Sequence, residues 1–180
     1  GEQVYFALSK DGFHWEQVNG GEPILTSTMG AKGCRDIEIV RMTDGSFVIL
    51  TTDECIVNRM DENYQVNWKM VNRTGSKCLS MWKTKDLVNF SEQKRIYFGR
   101  DDFGCLWAPE VFYDEINDEY LIHWGSTVKE DNYSHMSIYC CTTKNFETFS
   151  EPKLFFTKNN EILDTHIRKI GDTYHMFYKN

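Results

Sequence analysis

Three times in this chain an acidic residue opens an apolar run that turns through a short polar loop and returns as an aromatic strand. The first run is Arg35-Asp36-Ile37-Glu38-Ile39-Val40, turning at Asp44-Gly45 into Phe47-Val48-Ile49-Leu50. The second is Pro109-Glu110-Val111-Phe112-Tyr113, turning near Asn117-Asp118 into Tyr120 to Trp124. The third is Leu163-Asp164-Thr165-His166-Ile167, turning at Gly171-Asp172 into Tyr174 to Tyr178. From acid to returning aromatic the count is 11, 10 and 10 residues. This spacing predicts that Asp36, Glu110 and Asp164 hold one structural position in three copies of a unit.

A second repeat interleaves with the first. Ser9-Lys10-Asp11-Gly12-Phe13, Thr84-Lys85-Asp86-Leu87-Val88 and Thr143-Lys144-Asn145-Phe146-Glu147 each follow a short strand-like run. Asp11, Asp86 and Asn145 read as turn residues at a repeated bend. Repetition of about four short strands per unit, with no long helical period, is the pattern of a β-propeller. Each unit there buries its apolar faces only by stacking on its neighbours.

Composition fits a folded soluble domain: 41% hydrophobic and 14% aromatic residues can fill cores between sheets. A formal net charge of −7 excludes attraction to nucleic acid or an anionic membrane surface. No apolar stretch approaches the ~20 residues of a membrane-spanning helix. The six cysteines show no CxxC pair, and the histidines His14, His123, His135, His166 and His175 have no ligand spacing, so neither a metal nor a cofactor is expected. Cys140 and Cys141 are neighbours on an expected strand and point to opposite faces, which disfavours a bridge between them.

Counted by its turns, the chain divides into the outer strands of one blade (1–29), a blade (35–95), another blade (107–152) and the start of a next blade (162–180). That is about three blades of a single propeller domain, and it reads as a piece of a longer protein. The remaining blades of the parent are its expected partners.

Arg35-Asp36 opening a strand, Trp107-Ala108-Pro109-Glu110 followed by Val111-Phe112-Tyr113-Asp114, the stretch from Ser80 to Ser91, and Leu163-Asp164-Thr165 together resemble glycoside hydrolase family 43. The resemblance covers nearly the whole chain, in order. It implies an all-β, five-bladed β-propeller and an arabinofuranosidase- or xylosidase-like enzyme that inverts its substrate by a single displacement. Asp36 matches the general base, and Asp164 matches the aspartate that positions the acid and modulates its pKa. The family's general acid is a glutamate of the following blade, beyond Asn180, so the 180-residue chain alone is expected to be inactive. Glu110 belongs to a motif near the site that is usually not assigned the acid role. One residue departs from the pattern: the family usually has proline after the base, and this chain has Ile37.

The residues point the same way without the resemblance. First strands of propeller blades line the central channel, so acids at their starts converge on one mouth. Carboxyl groups brought together there repel, which raises the pKa of one and leaves another ionised, a set suited to acid and base work. An inverting glycosidase needs acid and base about 6.5–9.5 Å apart, a gap that separate blades can span. Each candidate also has a plainer reading. Asp36 and Asp164 fit turn carboxylates that accept backbone hydrogen bonds, and Glu110 fits a satisfied structural acid. Arg35 is a substrate contact or one half of an ion pair. Trp107 is a core residue or a platform for a sugar face. His166 shares a strand face with Asp164 and borders the site or is a hydrogen-bonded strand histidine. For the whole protein two functions compete: hydrolysis of an arabinose- or xylose-containing carbohydrate, or carbohydrate binding by a propeller that has lost catalysis. A truncated product without function is the third reading.

Overall fold

The computed structural model describes residues 2–98 and 100–179. Gly1 and Asn180, the ends of the first and last expected segments, lie outside the described residues. The fold is all-β and of the five-bladed propeller type. Strands β3 (Arg35–Arg41), β4 (Phe47–Thr52), β5 (Cys78–Thr84) and β6 (Lys94–Tyr97) form one antiparallel four-stranded sheet. Strands β7 (Trp107–Asp114), β8 (Glu119–Ser126), β9 (Ser137–Thr143) and β10 (Lys153–Phe156) form a second. Two hairpins complete the set: β1 (Ala7–Leu8) with β2 (Glu16–Gln17), and β11 (Leu163–Ile170) with β12 (Thr173–Lys179). The expected second blade, ending at 152, stops short of its fourth strand. Pro152 lies next to the start of β10 rather than between blades, and the β10 pairing with β9 carries the sheet on to Phe156.

Alternation along the strands explains why the sheets stack. Val48 and Leu50 of β4, with Leu79 and Met81 of β5, face a core shared with Ile122, Trp124 and Cys141 of the second sheet. Ile49 and Trp82, one residue out of phase, face a second core with Val4, Leu25 and Cys34. A strand buried on both faces reads as an unbroken apolar run, which is what Phe47-Val48-Ile49-Leu50 is. The first core is anchored by Phe98 stacked on Trp124, with ring centroids 4.6 Å apart and planes 9° apart. Each large side chain buried there contributes about 1.5–3 kcal/mol.

The second repeat is one turn built three times. Ser9, Thr84 and Thr143 accept amide hydrogen bonds from the two residues that open the bend, and the Oδ1 of Asp11, Asp86 and Asn145 accepts from the two that follow. Gly12, Leu87 and Phe146 each take the left-handed backbone that the turn needs, at φ 80°, 59° and 54°. The turn joins β5 to β6 and β9 to β10. Its recurrence between β1 and β2 therefore puts those two strands in the third and fourth positions of the pattern.

The first repeat holds a correction. In each sheet the first hairpin is interrupted by a bulge, between Arg35 and Glu38, between Trp107 and Glu110, and between Leu163 and His166. The bulge residues Asp36, Ala108 and Asp164 have φ of 47°, 49° and 51°. These three are equivalent, so Glu110 does not share the position of the two aspartates; it matches Glu38 and His166. The count from acid to aromatic misaligned them because the hairpin loops differ. Their closing pairs are Arg41 with Phe47, Asp114 with Glu119 and Ile170 with Thr173, which leave five, four and two residues in the loops. Pro109 follows the bulge residue in β7, whereas Ile37 and Thr165 do so in β3 and β11, so the bulge forms without proline.

Candidate active site

The first strands lie side by side, β3 against β7 and β7 against β11. Their bulges bring Asp36, Ala108 and Asp164 to the wall of one cavity of about 180 Å³. A non-glycine residue in the left-handed region costs on the order of 1 kcal/mol, and such strain collects at functional sites. Here it turns the aspartate side chains toward the cavity instead of into a sheet face.

Across each bulge, the second strand supplies a partner at a fixed register: Thr52 opposite Arg35, Gly125 opposite Trp107 and Lys179 opposite Leu163. The buried Thr52 hydroxyl donates to Asp36 Oδ2 at 2.8 Å and accepts from the Ala108 amide at 2.8 Å. One side chain thus orients the first aspartate and locks the second sheet beside it. Lys179 Nζ pairs with Asp164 Oδ2. The middle blade carries Ala108 and Gly125 at the same two places. A Cβ on Gly125 would come within 2.5 Å of Leu163 Cδ1. The small Ala108 lines the cavity between two aspartates contributed from either side, while Leu163 occupies the place a side chain at Gly125 would take.

Glu110 lines an adjoining cavity of about 210 Å³ together with Asp36, Ile37 and Asp164. Its Oε2 meets His166 Nδ1 at 2.8 Å. His166 is not on the wall of either cavity and reaches the site only through Glu110. Arg35 lines the first cavity but is paired with Glu2, whose second oxygen accepts from the Ile56 amide at 2.6 Å. Trp107 forms a wall and meets Trp68 edge to face, with centroids 6.1 Å apart and planes at 86°. Among the described residues, no group of three or more histidine, cysteine, aspartate or glutamate side chains is arranged to hold a metal ion.

Three residues of this region are not singled out by the sequence reading. Glu38, the equivalent of Glu110 in the neighbouring blade, has its pKa pushed up to about 8 by burial first and then by the charge of Glu110. His123, opposite Glu110 on β8, is held down to about 4 by burial and by His166, and its Nδ1 meets Thr165 Oγ1 at 2.9 Å. Trp68 opens helix α1 (Trp68–Thr74), capped by Asn67 accepting from the Met70 amide. The one signal for that helix is length: the acids are 74 residues apart across the first blade and 54 across the second, and the excess lies between β4 and β5. Asp53, by contrast, is fully buried and takes no part in the cavity. It accepts from the Ala31 amide at 2.8 Å, Ser76 Oγ at 2.7 Å and Arg95 at 2.8 Å, and a Cβ on Gly30 would meet its carboxylate at 2.2 Å.

The Glu38 shift has a measurable consequence. With a folded pKa near 8 against the ordinary 4.5, the native state binds more protons than the unfolded chain between those values, so stability falls as pH rises through that window. His123 titrates on folding only below its ordinary 6.5, where its depressed pKa costs stability as pH falls. Between pH 6.5 and 8 Glu38 therefore acts alone of the two. Its contribution is lost at up to about 1.4 kcal/mol per pH unit. Urea unfolding at pH 6.5 and 8 is expected to show a smaller loss for Glu38→Gln, whose amide mimics the protonated acid. Parallel losses in wild type and variant would refute the assignment.

Two aspartates on strained bulges, from the blades on either side of Ala108, meet at one cleft walled by Trp68 and Trp107. A family model described as a probable glycosyl hydrolase domain, related to glycoside hydrolase family 43, matches residues 1–180, and the chain belongs to that family. It is 25% identical, over a 200-residue alignment, to an α-L-arabinofuranosidase of Bifidobacterium longum subsp. longum, covering 100% of this chain and 18% of the relative. A thermostable family-43 glycoside hydrolase superposes with a TM-score of 0.56 at 19% identity, over 85% of this chain and 44% of that one. The β-1,2-mannobiose phosphorylase from Listeria innocua superposes at 0.66 with 15% identity, over 97% and 44%. At these identities the two solved structures show the fold. The chain spans about a fifth of the curated relative and less than half of either solved neighbour.

Proposed function

We propose that the whole protein hydrolyses arabinofuranosides, or the corresponding xylosides, with inversion at the anomeric carbon. The observation that carries this reading is the placement of Asp36 and Asp164 on equivalent bulges of two blades that flank Ala108, both on one cavity. Asp36 acts as general base. Thr52 donates to one of its oxygens, and the other is left to take a proton from water as that water attacks the anomeric carbon. Asp164 serves as the neighbouring charge that positions and tunes the general acid, which comes from a part of the protein outside residues 1–180. The chain alone is then inactive. Glu110, bonded to His166 and beside Glu38, acts on the aspartates through its charge rather than as proton donor. Arabinose is favoured over xylose because the curated relative is an arabinofuranosidase.

The test is the first-formed product. The full-length protein, given an aryl α-L-arabinofuranoside or an aryl β-D-xyloside in an NMR tube, is expected to release the opposite anomer before mutarotation. Release of the same anomer would replace the single displacement by a double one. Binding of arabino- or xylo-oligosaccharides without any turnover would favour the carbohydrate-binding reading instead.

A further inference from the structure

At the bulge that opens β3, two consecutive side chains of opposite charge, Arg35 and Asp36, reach the wall of one cavity. A guanidinium beside a carboxylate ordinarily pairs with it and holds it ionised, which makes it a poor acceptor for a proton. Here the guanidinium pairs instead with Glu2. Glu2 is held at three points: its backbone carbonyl accepts from the Cys34 amide at 2.8 Å, its Oε2 accepts from the Ile56 amide at 2.6 Å, and its Oε1 takes Arg35. The Glu2 side chain is 18% exposed, so the pair is partly shielded from the solvent that weakens ion pairs on an open surface. Burial alone raises the Glu2 carboxyl, but Arg35, Cys55 and the Ile56 amide outweigh it and hold the group below its ordinary range.

The repeat shows that the junction between units does not need this charge pair. The bond from the Cys34 amide to the Glu2 carbonyl recurs from Leu106 to Ser76 at 3.0 Å and from Ile162 to Met136 at 3.3 Å. The residue before each first strand is thus tied to one upstream of the preceding unit's third strand. At the three junctions Glu2 stands with Arg35, Ser76 with Trp107 and Met136 with Leu163, and only the first couple is charged. The two aspartates differ in the same sense: Asp164 keeps a cation, Lys179, whereas Asp36 meets the hydroxyl of Thr52. The other acids about the site have partners of their own, Glu54 with Arg59 and Glu110 with His166.

We propose that Glu2 is a positioning residue for the reaction: it holds the Arg35 guanidinium off Asp36, so that the base keeps an oxygen free to take a proton. The inference rests on the glycosidase reading above and deepens it. Charge pairing at this one junction, and not the repeated bulge, then distinguishes the base from the second aspartate.

Glu2→Gln keeps an oxygen for the Ile56 amide and loses the charge that holds Arg35. The pH dependence of kcat/KM is measured in the full-length protein with para-nitrophenyl α-L-arabinofuranoside and para-nitrophenyl β-D-xyloside. A guanidinium released onto Asp36 keeps the base ionised to lower pH, so the acidic limb is expected to move down by about one pH unit, with kcat about fivefold lower. Adding Arg35→Met removes the cation as well and is expected to return the limb to its wild-type position. A Glu2 that only braced the fold would lower stability and rate without moving the limb. If thermal unfolding shows that Glu2→Gln misfolds, Glu2→Asp decides, because it draws the charge back by one methylene and is expected to move the limb the same way by less. A limb unmoved in the folded variant, or still displaced in the double variant, overturns the role of Glu2 and leaves the glycosidase reading standing, since wild type still turns over. A wild-type protein that cleaves neither glycoside overturns both.

Discussion

Asp36→Asn in the full-length protein is expected to lower kcat by about 100-fold or more, while affinity for the oligosaccharide stays within a few fold. The amide keeps the size and planarity of the carboxylate and can still accept from the Thr52 hydroxyl, so the bulge and the contact to Ala108 survive. What it loses is the capacity to take a proton from water. Thr52→Val should reproduce part of the loss, since it frees the carboxylate to rotate and leaves the Ala108 amide without its acceptor. A rate within threefold of wild type for Asp36→Asn would show that another residue is the base, and Glu110 would be the next to test.

Asp164→Asn is expected to lower kcat about 10–100-fold and to move the alkaline limb of the pH–rate profile to lower pH. The sign follows from the partner. An adjacent negative charge disfavours ionisation of the general acid and holds its pKa up; removing that charge lets the acid lose its proton sooner as pH rises. Lys179 gives the converse. It pairs with Asp164, and Lys179→Met removes a positive charge from the same neighbourhood, so the alkaline limb should move upward. Shifts of the same sign in both variants would rule out a charge effect on a neighbouring acid.

The strands, the turns and the two-faced burial were legible in the sequence because each is a short-range pattern. The unbroken apolar run from Phe47 to Leu50 is a pattern of adjacent residues, and the Ser/Thr-x-Asp/Asn turn closes on its own side chain. Register across a bulge is a different kind of quantity. One extra residue between Arg35 and Glu38 has no signature of its own, and loop lengths of five, four and two residues shifted the apparent alignment so that Glu110 fell beside Asp36 and Asp164. Ala108, their true equivalent, carries no functional group and could not announce itself. Glu38 was hidden for a related reason: its raised pKa comes first from burial and then from the charge of Glu110, a residue 72 positions away in sequence and one blade away in space. Trp68 lay in an insertion with no repeat to compare it against. Family membership, in contrast, rested on several short motifs held in order, which survive a misalignment of two residues inside any one of them.

The left-handed kink recurs at Asp36, Ala108 and Asp164 whether the residue there is an acid or a methyl group, and whether or not proline follows. The backbone thus behaves like a socket repeated around a wheel, keeping its shape while the fitting in it is exchanged. Chemistry can migrate from spoke to spoke by single substitutions, since vacating one socket does not warp the next. The one at Ala108 holds only a methyl group, and the strand across it offers Gly125 where the other two offer a hydroxyl and an amine.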